Sequence, residues 1–277
     1  MSKEPEISVV IPTYNRSNSL IETLGALADQ TLEKSRYEVI VVDDGSSDNT
    51  EQSVRLFIQE HCDLGLHYLK HGENRFRAAA CNTGIGASRG TYIVFTDDDI
   101  RPVRTWLELH LEKHLKEERD ICVTGLVLYP LEWEGRSNWV RFANDNYRRN
   151  ETIKRDSAGG LPPNRFAGGN TSIRRETLLR AGAFDERLRR GQDGDLGYRL
   201  ALAGIPLLFE PRAIVFHFAD GIRSIDATLR SFRRFYARDR ECIQKKHPGL
   251  FQNASLAHWF LERSEEHTSE LQSPYVI

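Results

Sequence analysis

The chain has 277 residues, a formal net charge of −2, and 39% hydrophobic and 28% charged residues. This is the composition of an ordinary globular protein, and the near-neutral charge argues against a nucleic-acid partner. The four cysteines form no CxxC pair, which indicates reduced thiols rather than a disulfide framework or a zinc site. No apolar run has the length of a membrane span or a signal peptide, so we expect a cytoplasmic protein.

The first 130 residues alternate short apolar runs with helical patterns. Strands are predicted at 7–11, 39–42, 66–69, 92–95 and 121–128, and helical spacing is found at 20–27, 50–60, 76–89 and 106–115. Strands that alternate with helices predict an α/β fold, with a Rossmann-like, mostly parallel sheet and helices on both of its faces. In such sheets, ligands bind beyond the carboxyl ends of the strands.

Polar clusters follow the predicted strands at the point where each strand ends. The clusters are Thr13-Tyr14-Asn15, Asp43-Asp44 and Asp97–Asp99. Two neighbouring carboxylates repel each other by roughly 4 kcal/mol at an effective dielectric near 20, so the third cluster must be solvated, share a proton or hold a cation. Capping of a helix before Pro102 is the simpler alternative, but one aspartate would be enough for that. The convergence of three clusters favours a ligand site.

The common nucleotide motifs are absent from the sequence. Neither GxGxxG nor GxxxxGK[ST] follows a predicted strand. An acidic nucleotide site remains, in which one carboxylate accepts the N3–H of uracil and an Asp-x-Asp pair holds Mg²⁺ or Mn²⁺ against a diphosphate. Arg75 and Arg77, near a helix start, would add positive charge against that diphosphate.

The pattern changes after the first half of the chain. The stretch from Glu132 to Arg165 has no steady period, which is typical of a functional loop or lid, with short helices inside it left open. A helix is then predicted at 174–182, another at 193–203, and strands at 206–209 and 213–216. The histidines of HLEKH, at positions 110 and 114, have no third ligand nearby and indicate a solvated helix face.

Five motifs resemble, in order and spacing, those of the family 2 glycosyltransferases. They are VVIPTYNR, VVDDGSSDNT, AAACNTGIGASRGTYIVFTDDDI, FAGGNTSIRRETLLRAGAFDE and GQDGDLGYRL. The resemblance runs from about Ile7 to His217. The later part is most similar to the chondroitin-synthase-like and polypeptide N-acetylgalactosaminyltransferase-like branch. The resemblance implies a GT-A fold, an inverting transfer from a nucleotide-sugar, with a UDP-sugar as the expected donor, and a divalent metal, Mn²⁺ or Mg²⁺.

The resemblance also implies roles for individual positions. Pro12 and Tyr14 would line the base pocket, Asp44 would pair with uracil, and Arg77 and Asn82 would face the diphosphate and ribose. Asp97 and Asp99 match the metal motif, with Asp99 as the direct ligand, and His217 is either a further metal ligand or structural. Gly168, Gly169 and Asn170 match the loop under the donor sugar.

Asp193 falls on the position of the catalytic base. The family usually has Gly-Glu-Asp there, whereas this chain has Gly191-Gln192-Asp193. Gln192 thus removes a neighbouring charge that would raise the pKa of the base by repulsion, but the base itself is retained. Asp195 is the alternative base, and a plain helix cap is the structural alternative. Two other functions stay open: a nucleotide-sugar-binding relative without turnover, and a metal-dependent phosphotransferase, although the latter would want DxDx[TV] after the first strand.

We expect residues 1–221 to form the GT-A domain and residues 222–263 to form a basic amphipathic helical extension. The apolar stripe of segment 222–246 would pack on the domain, or its arginines would contact the inner face of an anionic membrane. Residues 264–277 lack periodicity and resemble translated adapter sequence, so we expect an unstructured and artefactual tail. Glycan, lipid-linked and protein acceptors all remain open.

Overall fold

The structure is a computed structural model that describes residues 4–153, 155–157, 159–218 and 245–247. The strands are β1 (Ile7–Thr13), β2 (Tyr37–Asp43), β3 (Gly65–Lys70), β4 (Tyr92–Phe95), β5 (Ile100–Pro102), β6 (Cys122–Leu128), β7 (Thr171–Arg174) and β8 (Leu207–His217). The helices are α1 (Ser17–Ala28), α2 (Thr50–Glu60), α3 (Phe76–Ala87), α4 (Trp106–Lys116), α5 (Asn138–Arg148), α6 (Arg175–Arg180) and α7 (Gln192–Leu202).

The eight strands form one sheet in the order β3-β2-β1-β4-β7-β6-β8-β5. The pairs β1–β2, β2–β3, β1–β4 and β6–β8 are parallel, while β4–β7, β6–β7 and β5–β8 are antiparallel. The predicted mostly parallel sheet is therefore confirmed. Because β1 lies between β2 and β4, the strand order reverses at β1, and a crevice opens at the carboxyl ends of these strands.

Helices cover both faces of the sheet, as predicted. Val9 and Ile11 of β1 share a core with Leu20 and neighbouring side chains of α1, whereas Val10 points to the opposite face. That opposite face packs on α3 so closely that a Cβ on Gly84 would lie 2.4 Å from the Val10 side chain. The continuous apolar run of β1 thus reflects burial on both faces.

The helix α4 departs from the prediction of a solvated histidine face. His110 and His114 are 0% and 5% exposed, because α4 lies on the sheet and both rings bond to Ser172 of β7. The loop expected over residues 132–165 contains the helix α5. The two strands predicted near the end of the domain are one strand, β8.

Only residues 245–247 of the predicted extension 222–263 are described, and the tail 264–277 lies outside the described residues. Lys246 and His247 bond to the buried carboxylate of Asp195 in α7, at 2.7 and 2.8 Å. Within the described part of the chain, no helix is long and apolar enough to cross a bilayer.

Candidate functional site

A pocket of about 500 Å³ lies at the carboxyl ends of β1, β2 and β4. Its walls are formed by Pro12, Thr13, Tyr14, Arg16, Asp44, Asn74, Phe76, Arg77, Ala80, Asp97, Asp98, Asp99, Arg190 and His217. The three polar clusters predicted from the strand ends meet here. Seven of the predicted site residues are in this wall: Pro12, Tyr14, Asp44, Arg77, Asp97, Asp99 and His217.

Asp44 directly follows β2 and lies buried at one end of the pocket. Its Oδ1 accepts a hydrogen bond from the backbone N–H of Arg75 at 2.9 Å and lies 2.7 Å from Nδ1 of His71. The turn after it requires glycine, because Gly45 has a φ of 85° and a Cβ there would lie 2.8 Å from the backbone of Glu73. The carboxylate is thus held in one orientation by groups on the same oxygen.

The three successive aspartates point to different partners. Asp97 accepts from Arg77 Nη2 at 2.8 Å, Asp98 accepts from the Thr13 hydroxyl at 2.7 Å, and Asp99 bonds to both Arg16 and His217. Burial raises the pKa of Asp98 to about 6. Burial would also raise the pKa of Asp99, but His217 and Arg16 outweigh it and hold that pKa at about 2. Asp98 and Asp99 are therefore buried, Asp97 is partly exposed, and all three contact basic side chains, so the cluster is no exposed cap.

Two groups of this arrangement lie at a spacing that suits the ligands of a divalent metal. Within the described residues, no group of three or more acidic, histidine or cysteine side chains is close enough to hold an ion. Asp99 Oδ1 and His217 Nε2 nevertheless lie 3.2 Å apart. Adjacent ligands of a six-coordinate ion, each about 2.0–2.1 Å from the metal, would be about 3 Å apart. The pair therefore fits two neighbouring ligand positions of Mg²⁺ or Mn²⁺.

Arg77 joins the aspartate cluster to Asp193. It donates to Asp97, and its Nη1 lies 3.1 Å from Asp193 Oδ1, across 116 positions of the chain. About a third of the Asp193 side chain stays exposed (33%), at the start of α7 behind a Gly191 with φ of 75°. Burial of the carboxyl, with a further contribution from Asp97, raises the pKa of Asp193. Asp97 is thus an acidic neighbour that contributes to this raised pKa, whereas Gln192 carries no charge.

Gly168 and Gly169 lie against the aspartates without being in the pocket wall. A Cβ on Gly168 would lie 2.6 Å from Asp193 Oδ1, and one on Gly169 would lie 2.9 Å from Asp97 Oδ2. The backbone of Gly168 contacts the same groups, since its N–H donates to Asp193 at 3.3 Å and its oxygen accepts from Arg77 at 2.9 Å. Only bare backbone fits between these side chains.

Asn170 is fully buried beneath this glycine pair. Its Oδ1 accepts from Trp106 Nε1 at 2.8 Å and contacts His110 Nε2 at 3.0 Å. Its Nδ2 donates to the backbone oxygens of Leu126 and Ala213. Asn170 therefore ties the glycine loop to α4, β6 and β8, and its side chain does not face the pocket.

The two histidines of α4 complete that network in their neutral form. An amide oxygen only accepts, so His110 Nε2 carries the proton and Nδ1 accepts from the Ser172 hydroxyl at 2.8 Å. The same hydroxyl accepts from His114 Nε2 at 2.8 Å. Burial lowers the pKa of His110 to about 4 and that of His114 to about 3.

In the structure, the Asn82 side chain is bonded to the segment 184–186. Its side chain donates to the backbone oxygen of Phe184 and accepts from the N–H of the same residue, at 2.9 and 3.0 Å. It also donates to Glu186 at 3.0 Å. Asn82 thus anchors the 184–186 segment to α3 and is not part of the described pocket wall.

Five wall residues were not singled out from the sequence: Arg16, Asn74, Phe76, Ala80 and Arg190. Arg190 precedes the Gly191-Gln192-Asp193 motif, and Phe76 opens α3 with a φ of 69° that is unusual for a bulky residue. Arg16 bonds to two of the aspartates. For Arg16 a signal existed, because it ends the PTYNR motif only three residues after the strand β1.

The family is decided by a comparison with known proteins. A model of the family described as Glycosyl transferase family 2 matches residues 8–179. The chain belongs to this family. Chondroitin synthase from Escherichia coli is 29% identical over 248 residues, which cover 76% of this chain and 34% of that protein. Glycosyltransferase AglE from Haloferax volcanii is 32% identical over 215 residues, covering 77% of this chain and 67% of that protein.

Solved glycosyltransferase structures confirm the predicted GT-A fold. The mannosyltransferase PcManGT from Pyrobaculum calidifontis, in complex with GDP-Man and Mn²⁺, superposes with a TM-score of 0.71 at 24% identity, covering 94% of this chain and 70% of that chain. S. aureus TarS 1–349 in complex with UDP-GlcNAc gives a TM-score of 0.54 at 19% identity, covering 84% and 66%. The predicted resemblance to family 2 is confirmed, and chondroitin synthases are among the relatives. The chain spans only 34% of the Escherichia coli relative.

Proposed function

We propose that this chain transfers a sugar from a UDP-sugar to a hydroxyl acceptor, with inversion at the anomeric carbon. The observation that carries the proposal is the pocket in which Asp44, Asp97 and Asp99 meet, with Asp193 joined to Asp97 through Arg77. Membership of family 2 and the nucleotide-sugar complexes of its structural relatives support a donor of this class.

Asp44 would recognise the base of the donor. A buried carboxylate at the pocket end can accept the N3–H of uracil, and the bonds to Arg75 N–H and His71 fix its orientation. Pro12 and Tyr14 would flank the base. Guanine presents an N1–H to a carboxylate as well, so the base itself must be tested by binding.

Asp99 and His217 would hold Mn²⁺ or Mg²⁺ at the diphosphate as two neighbouring ligands, and Asp97, in the same pocket wall, would be the further acid of the Asp-x-Asp motif. When bound, the ion would supply positive charge that stabilises the departing diphosphate. Arg77 fixes Asp97 through two bonds to Oδ1, from Nε at 3.1 Å and Nη2 at 2.8 Å. The glycine pair at 168–169 would let the donor sugar approach the backbone beside these carboxylates.

Asp193 would act as the general base that removes the proton of the acceptor hydroxyl while that oxygen attacks the sugar. A general base works best when its pKa is near the working pH, and the raised pKa of Asp193 moves the group in that direction. Arg77 and the N–H of Gly168 hold the carboxylate in place. Asp195, the alternative base, is instead buried among Arg199, Lys246 and His247.

The acceptor is defined here only by its hydroxyl group, and glycan, lipid-linked and protein acceptors stay open. Contact of segment 222–246 with a membrane surface stays a prediction, as do a cytoplasmic location and a peripheral one at the inner face. Residues 222–244 of that segment lie outside the part of the chain that the structure describes.

Calorimetric titration of UDP into the protein, with Mn²⁺ and with EDTA, tests the donor and the metal together. We expect tight binding that needs both Mn²⁺ and Asp99, and its loss in Asp99→Ala. Asp120→Asn is a matched control, because Asp120 also pairs with arginines, Arg174 and Arg180, outside the pocket. Binding of GDP in place of UDP would mean that the donor is a GDP-sugar. Binding of no nucleotide would overturn the proposal.

A further inference from the structure

The two oxygens of Asp99 have different partners. Oδ2 bonds to Nη1 of Arg16 at 2.5 Å, and Oδ1 lies 3.2 Å from Nε2 of His217. The carboxylate is almost fully buried, with 6% of its side chain exposed. Its rotation is therefore set from one side by Arg16, which leaves the other oxygen directed at the imidazole.

Arg16 is placed for this contact by the chain that leads out of β1. It directly precedes α1, and its Nη1 also contacts Asp98 Oδ1 at 3.3 Å. The turn at 98–99 is attached to the same region a second time, because the Thr13 hydroxyl donates to Asp98 Oδ2 at 2.7 Å. A third bond runs from the Thr23 hydroxyl to the backbone oxygen of Asp98 at 2.9 Å.

We propose that Arg16 is a positioning residue for the metal site: it holds Asp99 through Oδ2 so that Oδ1 and His217 face one ion together. The inference rests on the proposed metal at Asp99 and His217. Groups that hydrogen-bond to a ligating carboxylate fix its geometry, and their loss costs about 10–100-fold in metal affinity. Arg77 makes the corresponding contact to Asp97.

The geometry argues against competition between Arg16 and the metal, because each would use a different oxygen of Asp99. If Arg16 occupied the place of the ion, its removal would free Asp99 and strengthen metal binding. The arginine, however, lies on Oδ2, whereas the oxygen beside His217 is Oδ1. The two partners therefore leave room for each other, and removal of Arg16 should weaken metal binding.

Arg16→Met tests the inference with Mn²⁺ as the probe. The affinity for Mn²⁺ is measured by electron paramagnetic resonance, first with Mn²⁺ alone and then with saturating UDP, and UDP is titrated in EDTA. We expect Mn²⁺ binding to weaken about 10–100-fold, and the gain in UDP affinity between EDTA and Mn²⁺ to shrink by a similar factor. A general loss of folding would instead lower UDP binding in EDTA to the same extent as in Mn²⁺.

Arg89→Met is the matched control. Arg89 pairs at 2.7 Å with the buried Glu38 at the opposite end of β2. This variant therefore also removes the arginine partner of a buried carboxylate, but far from the pocket, and it should keep the Mn²⁺ affinity of the wild type. If Arg16→Met does not fold, Arg16→Gln decides the question, because glutamine keeps a donor without the charge. Weaker Mn²⁺ binding is expected there too.

The outcomes separate this inference from the proposed function. If the wild-type protein binds no Mn²⁺ with or without UDP, the proposed metal site is wrong and the inference falls with it. If the wild type binds Mn²⁺ and the Arg16 variant binds it equally well, only the inference is wrong. Tighter binding by the variant would mean that Arg16 competes with the ion, which also overturns the inference.

Discussion

The strand-end region, residues 7–99, and the networked region, residues 122–193, place their candidate site residues in different ways. In the strand-end region, the site groups follow the ends of β1, β2 and β4, and the order of parallel strands brings them to one edge. In the networked region, positions are set by bonds between distant residues, such as Arg77 with Asp193 and Asn170 with α4. The strand order is enough to predict which side chains meet at the strand ends. The positions in a bonded network can be predicted only when all of the bonded partners are known.

Asp193→Asn changes the bond between Arg77 and Asp193, which joins the two regions, and should have the largest effect on sugar transfer. The variant loses the proton acceptor, and general-base catalysis contributes about 10²–10⁴-fold, so transfer should fall by that factor. Binding of UDP should stay close to that of the wild type, because Asp44 and Asp99 are untouched. Release of UDP from a panel of UDP-sugars, beside UDP calorimetry, checks both parts, and wild-type turnover by the variant would show that Asp193 is not the base.

Gly168→Ala tests the networked region, residues 122–193, without removing a charged group. The added Cβ would meet Asp193 Oδ1 at 2.6 Å and Arg77 Nη2 at 2.8 Å, so the base and its arginine must move. Misplacement of a reacting group by about 1 Å costs on the order of 10²-fold in rate, and we expect turnover to fall by about that much. Steady-state UDP release measures the change.

Gly194→Ala is the control for that substitution, since it lies one residue from Asp193 and a Cβ there meets nothing within 4 Å. Replacement of glycine by alanine inside a helix stabilises by roughly 0.5–1 kcal/mol. The control should therefore melt slightly higher and keep its turnover. Equal losses in both alanine variants would point to a general effect on α7 instead of contact with the base.

The same contrast explains what could be predicted from the sequence. The strands, the helices on both faces and the pocket position of Asp44 and Asp97 follow from apolar runs that end in polar residues. Asn82 and Asn170 could not be placed in this way. Both are buried or part-buried amides whose partners, at Phe184 and on α4, are far away in the chain.

The histidines of α4 show why that limit is physical. The spacing HLEKH puts both rings on one face, but the burial of that face depends on β7, which begins at Thr171. The prediction of a solvated face was wrong because Ser172, whose hydroxyl bonds to both rings, lies 62 positions after His110 in the chain. Arg16 was missed for a related reason, since its role depends on an aspartate 83 positions away.

The buried histidines of α4 lead to the smallest of the expected effects, a dependence of stability on pH. Burial lowers the folded-state pKa of His110 to about 4 and of His114 to about 3, whereas an unfolded histidine has a pKa near 6.5. Below pH 6.5 the unfolded chain takes up protons that the folded chain does not, so the free energy of unfolding falls as pH falls. At pH 5 each histidine should lower it by up to about 2 kcal/mol.

Urea unfolding of the wild type and His114→Gln at pH 7.5 and pH 5 isolates this contribution from the carboxylates that also titrate. At pH 7.5 the variant should be the less stable protein, because it loses the stack of His114 on Tyr92, whose ring centroids are 4.4 Å apart. The deficit should shrink by up to about 2 kcal/mol at pH 5, since the variant has no buried imidazole to protonate. His67→Gln, at a side chain that is 46% exposed, controls for the loss of a histidine. A deficit in His114→Gln that is equal at both pH values would mean that His114 is not held neutral by burial, and the network beneath the glycine loop would then need a different protonation.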